Sequence, residues 1–283
     1  MSITENEKIK ITGKKNRFVH KNLDDLKLLT ILVKKGKIEM KKTIYTLMLV
    51  TSLTFVITYC NNKSPNNSDA TTKAPRKEKV LTAEEQHALT PDIVIESLKA
   101  GNERYVNSNL TERDHSALVR DAAAGQYPEA VILSCLDSRV NVEDVFDKGI
   151  GDLFVGRIAG NFVNEDMLGS MEFGCKVSGA KLILVLGHES CGAVKAAIDD
   201  VELGNITVML TKIKPAVEMS QDFTGEKTSK NSEFVDYVVK NNVIYTIETI
   251  RLKSSILKEM EDKGEIKIMG AYYDLKTGEV TFL

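Results

Sequence analysis

Two short segments carry residue types that could hold a metal. One is Ser134-Cys135-Leu136-Asp137-Ser138-Arg139, directly after the apolar run Ala130-Val131-Ile132-Leu133. The other is Gly187-His188-Glu189-Ser190-Cys191-Gly192, directly after Lys181-Leu182-Ile183-Leu184-Val185-Leu186. The H-x-x-C spacing lets an imidazole and a thiol reach one ion from a single turn. Cys191 is placed to open a following helix, whose N-terminal dipole favours a thiolate. Two cysteines and one histidine give three ligands for tetrahedral zinc and leave a fourth position for water or substrate, the pattern of a catalytic site. A cysteine at a strand end is, taken alone, equally a small apolar residue; the combination with C-x-D-x-R is what narrows the reading.

For these segments to meet, the two apolar runs must lie side by side. Both read as strands buried on both faces, and Asp152-Leu153-Phe154-Val155 reads as a third. Between them the spacing is helical. Thr90-Pro91 predicts a capped helix with Ile93, Leu98 and Tyr105 on its inner face. A second helix is expected near Ser116 to Ala124. Met167, Met171 and Cys175 mark a third. Val235 to Lys258 predicts a long helix broken near Asn241-Asn242. The end of the chain reads as a hairpin: Ile266 to Tyr273, a turn at Lys276-Thr277-Gly278, then Val280-Thr281-Phe282. Alternating strands and helices predict an α/β fold with a central, mostly parallel sheet flanked by helices. Ligands bind such sheets beyond the carboxyl ends of the strands, where Cys135 and His188 stand.

The chain has 283 residues, 42% of them apolar and 28% charged, with 38 basic and 40 acidic residues. That balance supplies no basic field for nucleic acid, so no nucleic-acid partner is expected. Four cysteines in a chain this long exclude a disulfide scaffold. The front of the chain has a different composition. Lys34, Lys35, Lys37, Lys41 and Lys42 precede the apolar stretch Thr43–Tyr59, and Cys60 follows. Basic segment, apolar segment, cysteine and polar tract resemble a bacterial lipoprotein signal, with Cys60 as the lipidated residue. A plain membrane anchor, or a buried helix with an incidental cysteine, is the other reading of the same stretch. Residues 1–39 are read as an upstream extension, 40–60 as signal or anchor, 61–79 as a flexible linker and 80–283 as one catalytic domain. An exported, periplasmic or membrane-anchored location is expected; a non-functional signal would leave the protein in the cytoplasm.

C-x-D-x-R followed some fifty residues later by H-x-x-C resembles the beta-class carbonic anhydrases. Phe154-Val155-Gly156-Arg157-Ile158-Ala159-Gly160-Asn161 is similar to that family's second-strand signature, and the likeness covers residues 88–283. It implies one zinc per subunit on Cys135, His188 and Cys191, with Asp137 and Arg139 as a dyad beside the metal. It also implies a substrate pocket with Gln126, Phe154, Ala159 and Phe173; plant members carry tyrosine where Phe173 stands. The implied reaction is reversible hydration of CO2 to bicarbonate and a proton by hydroxide on the zinc, oriented by the dyad. Two thiolates cancel the metal charge, so the activity is expected to titrate above the value of about 7 known for a three-histidine site. Homo-dimers or larger homo-oligomers are implied, with part of each pocket supplied by the neighbouring subunit. Some members have a closed form in which the aspartate leaves the arginine for zinc. Members inhibited by bicarbonate at a side pocket use a tryptophan there; this chain has none, so the open form is expected. The alternatives are a related zinc hydrolase acting on CS2 or COS, an inactive zinc-binding assembly protein, and a thiol redox protein. Cys175 is expected to be a buried thiol. His87, His115 and the segment Lys227 to Lys230 are expected to be solvated.

Overall fold

The computed structural model describes residues 79–283. The readings placed on residues 1–78, Cys60 and the signal-like stretch among them, lie outside the described residues. Among the described residues no helix is long and apolar enough to cross a membrane.

The chain runs through α1 (Ala83–His87), α2 (Pro91–Val106), α3 (His115–Ala122), β1 (Ala130–Ser134), α4 (Val142–Val145), β2 (Leu153–Arg157) and α5 (Glu165–Glu172). One π-helical turn (Phe173–Val177) extends α5. Then come β3 (Leu182–His188), α6 (Gly192–Ile198), α7 (Gly204–Leu210), α8 (Lys214–Met219), α9 (Ser232–Lys253), α10 (Ser255–Asp262), β4 (Lys267–Tyr273) and β5 (Val280–Phe282). The five strands form one sheet in the order β2-β1-β3-β4-β5. β2, β1, β3 and β4 are parallel, and only β5 runs antiparallel, against β4.

β3 is the central strand, and every residue of it is buried. Leu182, Leu184 and Leu186 pack on one face with Val94, Ile95 and Leu98 of α2 and with Val142 and Val145 of α4. Ile183 and Val185 pack on the other with Val243, Ile247 and Ile250 of α9 and Leu257 and Met260 of α10. Helices on both faces explain why the strands read as unbroken apolar runs. α9 lies close over the sheet because Gly187 has no side chain: a Cβ there would come within 2.8 Å of Val243 Cγ2 and 2.9 Å of Val239 Cγ1.

Thr90 caps α2 as its type and the following proline predict; its hydroxyl accepts from the Ile93 amide at 3.3 Å. Two expectations need correcting. Ile93 is not on the inner face but is half exposed. Five residues at about 100° each put it some 140° around the helix from Leu98, and Val94 and Ile95 take the core positions instead. The long helix is not broken at Asn241-Asn242 either. α9 runs through both, and the break falls at Ser254, whose side chain caps α10 at the Leu257 amide, 3.2 Å away. Ile266 to Tyr273 and Val280 to Phe282 do form a hairpin, but β4 is also a full parallel partner of β3 over Leu182–His188.

Asp147 ties the end of α2 to the loop before α3. Its side chain is fully buried, pairs with Arg104 and with Arg113 (2.7 Å), and accepts from the Thr111 hydroxyl at 2.7 Å. Burial pushes its carboxyl up, but the bonds from Arg104, Thr111 and Arg113 outweigh burial and hold it below the usual range. Its contribution is therefore complete above the unfolded carboxylate value of about 3.9 and is lost as pH falls through the lower folded value. Asp147→Asn keeps a residue type that tolerates the positive φ of 49° at this position. In urea unfolding at pH 7 it should cost about 3–5 kcal/mol, as expected when one partner of a buried ion pair is removed. The deficit should shrink in acid, and a deficit that is constant from pH 7 to pH 2 would contradict the assignment.

Candidate metal centre and active site

β1 and β3 are neighbours with Ser134 in register with Leu186, so the residues that follow them emerge at one edge of the sheet. Cys135 leaves β1 there, and His188 ends β3. Ser190, at φ +55°, turns the chain so that Cys191 becomes the N-cap of α6. Cys135 and Cys191 are 5% and 1% exposed, and His188 is fully buried. One donor atom from each lies within 4.8 Å of the other two.

Several observations test whether this set suits zinc. The two sulfurs are 3.9 Å apart. That is far beyond a disulfide bond of about 2.05 Å and close to the ~3.8 Å between two thiolates on one tetrahedral ion at about 2.3 Å. The His188 ring Nδ1 lies 2.9 Å from the Glu189 carbonyl, which can only accept, so Nδ1 carries the proton. Nε2 is then a bare lone pair, buried and without a hydrogen-bond partner. A carbonyl behind a ligand histidine is the arrangement that fixes tautomer and ring orientation. The facing Cys191 thiol and the Gly160 amide pull Cys135 down against burial. The negative sulfur so formed, together with burial, drives Cys191 far up. Two negative sulfurs 3.9 Å apart would repel each other, and a dication between them would relieve that repulsion. The donor set fits zinc.

Asp137 stands beside this cluster. Its Oδ2 is 3.9 Å from His188 Nε2. Arg139 grips it with both arms, Nε donating to Oδ1 at 2.9 Å and Nη2 to Oδ2 at 2.7 Å, while the Arg139 amide donates to Oδ1 at 3.0 Å. The guanidinium holds the Asp137 carboxyl well below the usual carboxylate range. Asp137 is paired with Arg139 and is not one of the three clustered donors. Around the cluster the shell is apolar: Phe162, Val194, Ile213, Phe234, Val238, Val239 and Tyr272 pack with the two cysteines.

The remaining residues of the expected pocket are placed differently. Ala159 is half buried in the turn after β2, next to Gly160, whose amide donates to Cys135 Sγ at 3.3 Å. Phe154 and Phe173 meet each other, with ring centroids 6.5 Å apart, on an open groove of about 720 Å³ that Met167 and Met171 also line. Phe154 is in register with Val131, four residues before Cys135, so its backbone lies roughly 13 Å back along the strand. Gln126 is exposed before the amino end of β1, at the edge of the sheet opposite the cluster. The structure therefore does not bring Gln126, Phe154 and Phe173 to the metal centre of their own chain. Cys175 is buried and its thiol is pushed up to about 12 by burial. His87, His115, Lys227 and Lys230 are exposed.

Arg157 went unassigned in the motif reading. Its Nε donates to the Cys135 carbonyl at 3.0 Å and its guanidinium reaches the Asp137 carbonyl, bracing the loop that carries ligand and acid. Its place in the second-strand signature was the available signal.

A parallel α/β sheet with a thiolate–thiolate–imidazole cluster at its carboxyl edge defines a class: mononuclear zinc enzymes with three protein ligands. Comparison with known proteins makes this specific. The family model described as carbonic anhydrase matches residues 130–280, and the chain belongs to that family, in its beta class. It is 38% identical over 188 residues to carbonic anhydrase 2 of Mycobacterium tuberculosis (strain ATCC 25618 / H37Rv), covering 64% of this chain and 87% of that one. Among solved structures it is similar to the beta-carbonic anhydrase CafA of Aspergillus fumigatus, with TM-score 0.53 and 26% identity over 60% of this chain and 81% of that one. It shares its fold with two tetrameric beta-carbonic anhydrases of Sordaria macrospora, with TM-score 0.53 and 22% identity over 68% of this chain and 95% of that one.

Proposed function

We propose that the chain catalyses the reversible hydration of CO2 to bicarbonate and a proton, with zinc held by Cys135, His188 and Cys191. The observation that carries the reading is the cluster of three buried donors with an arginine-clamped carboxylate beside it. Zinc in such a site supplies Lewis-acid activation of water. The chain's own residues supply the rest. Asp137, kept ionised by Arg139, can only accept a hydrogen bond, so it orients a donor placed between itself and the metal ligands. The two-armed grip fixes the plane of that carboxylate as well as its charge. The apolar shell suits an uncharged substrate and keeps bulk water from the thiolates. A purely structural zinc would not need Asp137 and Arg139. Asp137→Ala should lower CO2 hydration by on the order of 10²-fold or more while leaving bound zinc unchanged. Wild-type rates in that variant would contradict the role, and hydrolysis of COS or CS2 without CO2 hydration would favour the related hydrolase.

The protein works as a homo-dimer or larger homo-oligomer in this reading. Support comes from the placement of Gln126, Phe154 and Phe173, which are too far from their own chain's cluster to line it, and from the half-exposed edge strand β2. A neighbouring subunit would bring them to the other's CO2 and bicarbonate site. Gln126→Ala and Asp137→Ala chains should each be impaired alone, yet coexpression should recover activity, because each mixed dimer contains one site with both native residues. Absence of recovery in mixed dimers that are shown to form would overturn the shared pocket.

The protein is exported and tethered through its N-terminus in this reading. The support is the basic segment, the apolar Thr43–Tyr59 and Cys60. Fatty-acid label should enter the wild type and be absent from Cys60→Ser; equal labelling, or none in either, would refute a lipid anchor.

A further inference from the structure

Asn242 is fully buried on α9, where its neighbours Val238, Val239 and Val243 are apolar and buried too. Its Nδ2 donates at 2.8 Å to the carbonyl of Gly160, 82 residues earlier. Its Oδ1 is buried without a hydrogen-bond partner. A core position carries such an unsatisfied group only at a cost, so its presence calls for a reason. One turn further along α9, the Thr246 hydroxyl donates to the next carbonyl, that of Asn161, at 3.4 Å. α9 thus holds two successive carbonyls of the turn after β2.

That turn has one donor aimed at the metal site. The Gly160 amide points at Cys135 Sγ, 3.3 Å away. The turn reaches this geometry through left-handed backbone at two consecutive residues, Gly160 at φ +84° and Asn161 at φ +39°. It is also packed tightly: a Cβ on Gly160 would come within 2.4 Å of Ile213 Cδ1 and 3.3 Å of Ala193 Cβ. A backbone held in sparsely populated regions needs outside restraint, and beside that packing the Asn242 amide supplies a directional one on Gly160 itself.

We propose that Asn242 is a positioning residue of the metal site, clamping Gly160 so that its backbone N–H stays bonded to the Cys135 sulfur. The bond would hold the sulfur in position for the metal, which favours binding, and would draw electron density from it. Asn242 touches neither metal nor substrate and acts only through Gly160. The inference rests on the zinc site proposed above.

The test measures metal binding rather than turnover, on the full-length protein. Zinc affinity is read by chelator competition, and the thiolate-to-metal charge-transfer band is read after replacement of zinc by cobalt(II). Asn242→Leu should raise the zinc dissociation constant about 10-fold or more, the usual scale for loss of an outer-shell partner, and should move the cobalt band to lower energy. Ile250→Ala, a cavity further along α9 and away from the site, should lower stability without changing either quantity. If Asn242→Leu does not fold, Asn242→Ser is read the same way. Unchanged affinity and band in the Asn242 variants, or the same changes in Ile250→Ala, would overturn the clamp. A wild type without stoichiometric zinc would overturn the site itself; a zinc-loaded wild type with insensitive Asn242 variants would overturn the clamp alone.

Discussion

Two sulfur atoms 3.9 Å apart in an apolar shell are the constraint around which this molecule is built. Neighbouring buried thiolates repel, and burial penalises each charge further. Removing a proton from one makes removal from the other harder, which is why Cys135 and Cys191 are driven in opposite directions. A divalent cation resolves the conflict for both at once. The His188 lone pair faces the same point with its other nitrogen tied off by the Glu189 carbonyl. Three donors that are costly to leave alone become inexpensive together around one ion.

The fold serves that point in two ways. The parallel order β1–β3 delivers Cys135 and His188 to one edge, and the start of α6 delivers Cys191. Helices on both faces then immobilise the strands, so the donor positions inherit the rigidity of the core. Arg157 and the Gly160 turn brace the loop after β1 from the side of β2, and Arg139 fixes Asp137. Each brace joins residues that differ by two to twenty-five positions in sequence. α9 reaches the site from farther along the chain.

What could be read from the sequence followed from locality. The three-donor cluster was legible because H-x-x-C and C-x-D-x-R each sit in one turn after an apolar strand, and the strands of a parallel sheet covered on both faces are unbroken apolar runs. The mostly parallel sheet flanked by helices followed from the same runs. Ile93 was misplaced because a five-residue step does not return to the same helix face. The break at Asn241-Asn242 was misread because local asparagine preference was weighed without the partner: Asn242 finds its hydrogen bond in Gly160, and the helix passes through. The pairing of β4 with β3 was hidden because a hairpin signal says nothing about a strand's other neighbour. Arg157, Gly160 and Asn242 act through contacts 22, 25 and 82 residues apart, and no short pattern encodes those.

The most direct test is elemental analysis of the purified protein, paired with CO2 hydration before and after stripping by a strong chelator. One zinc per chain, loss of hydration on stripping and its return on adding zinc back are the results this account requires. Cys191→Ser should bind substantially less than one zinc and hydrate CO2 poorly. A wild-type protein that hydrates CO2 fully without metal, or that carries no stoichiometric zinc when prepared without chelators, would contradict it.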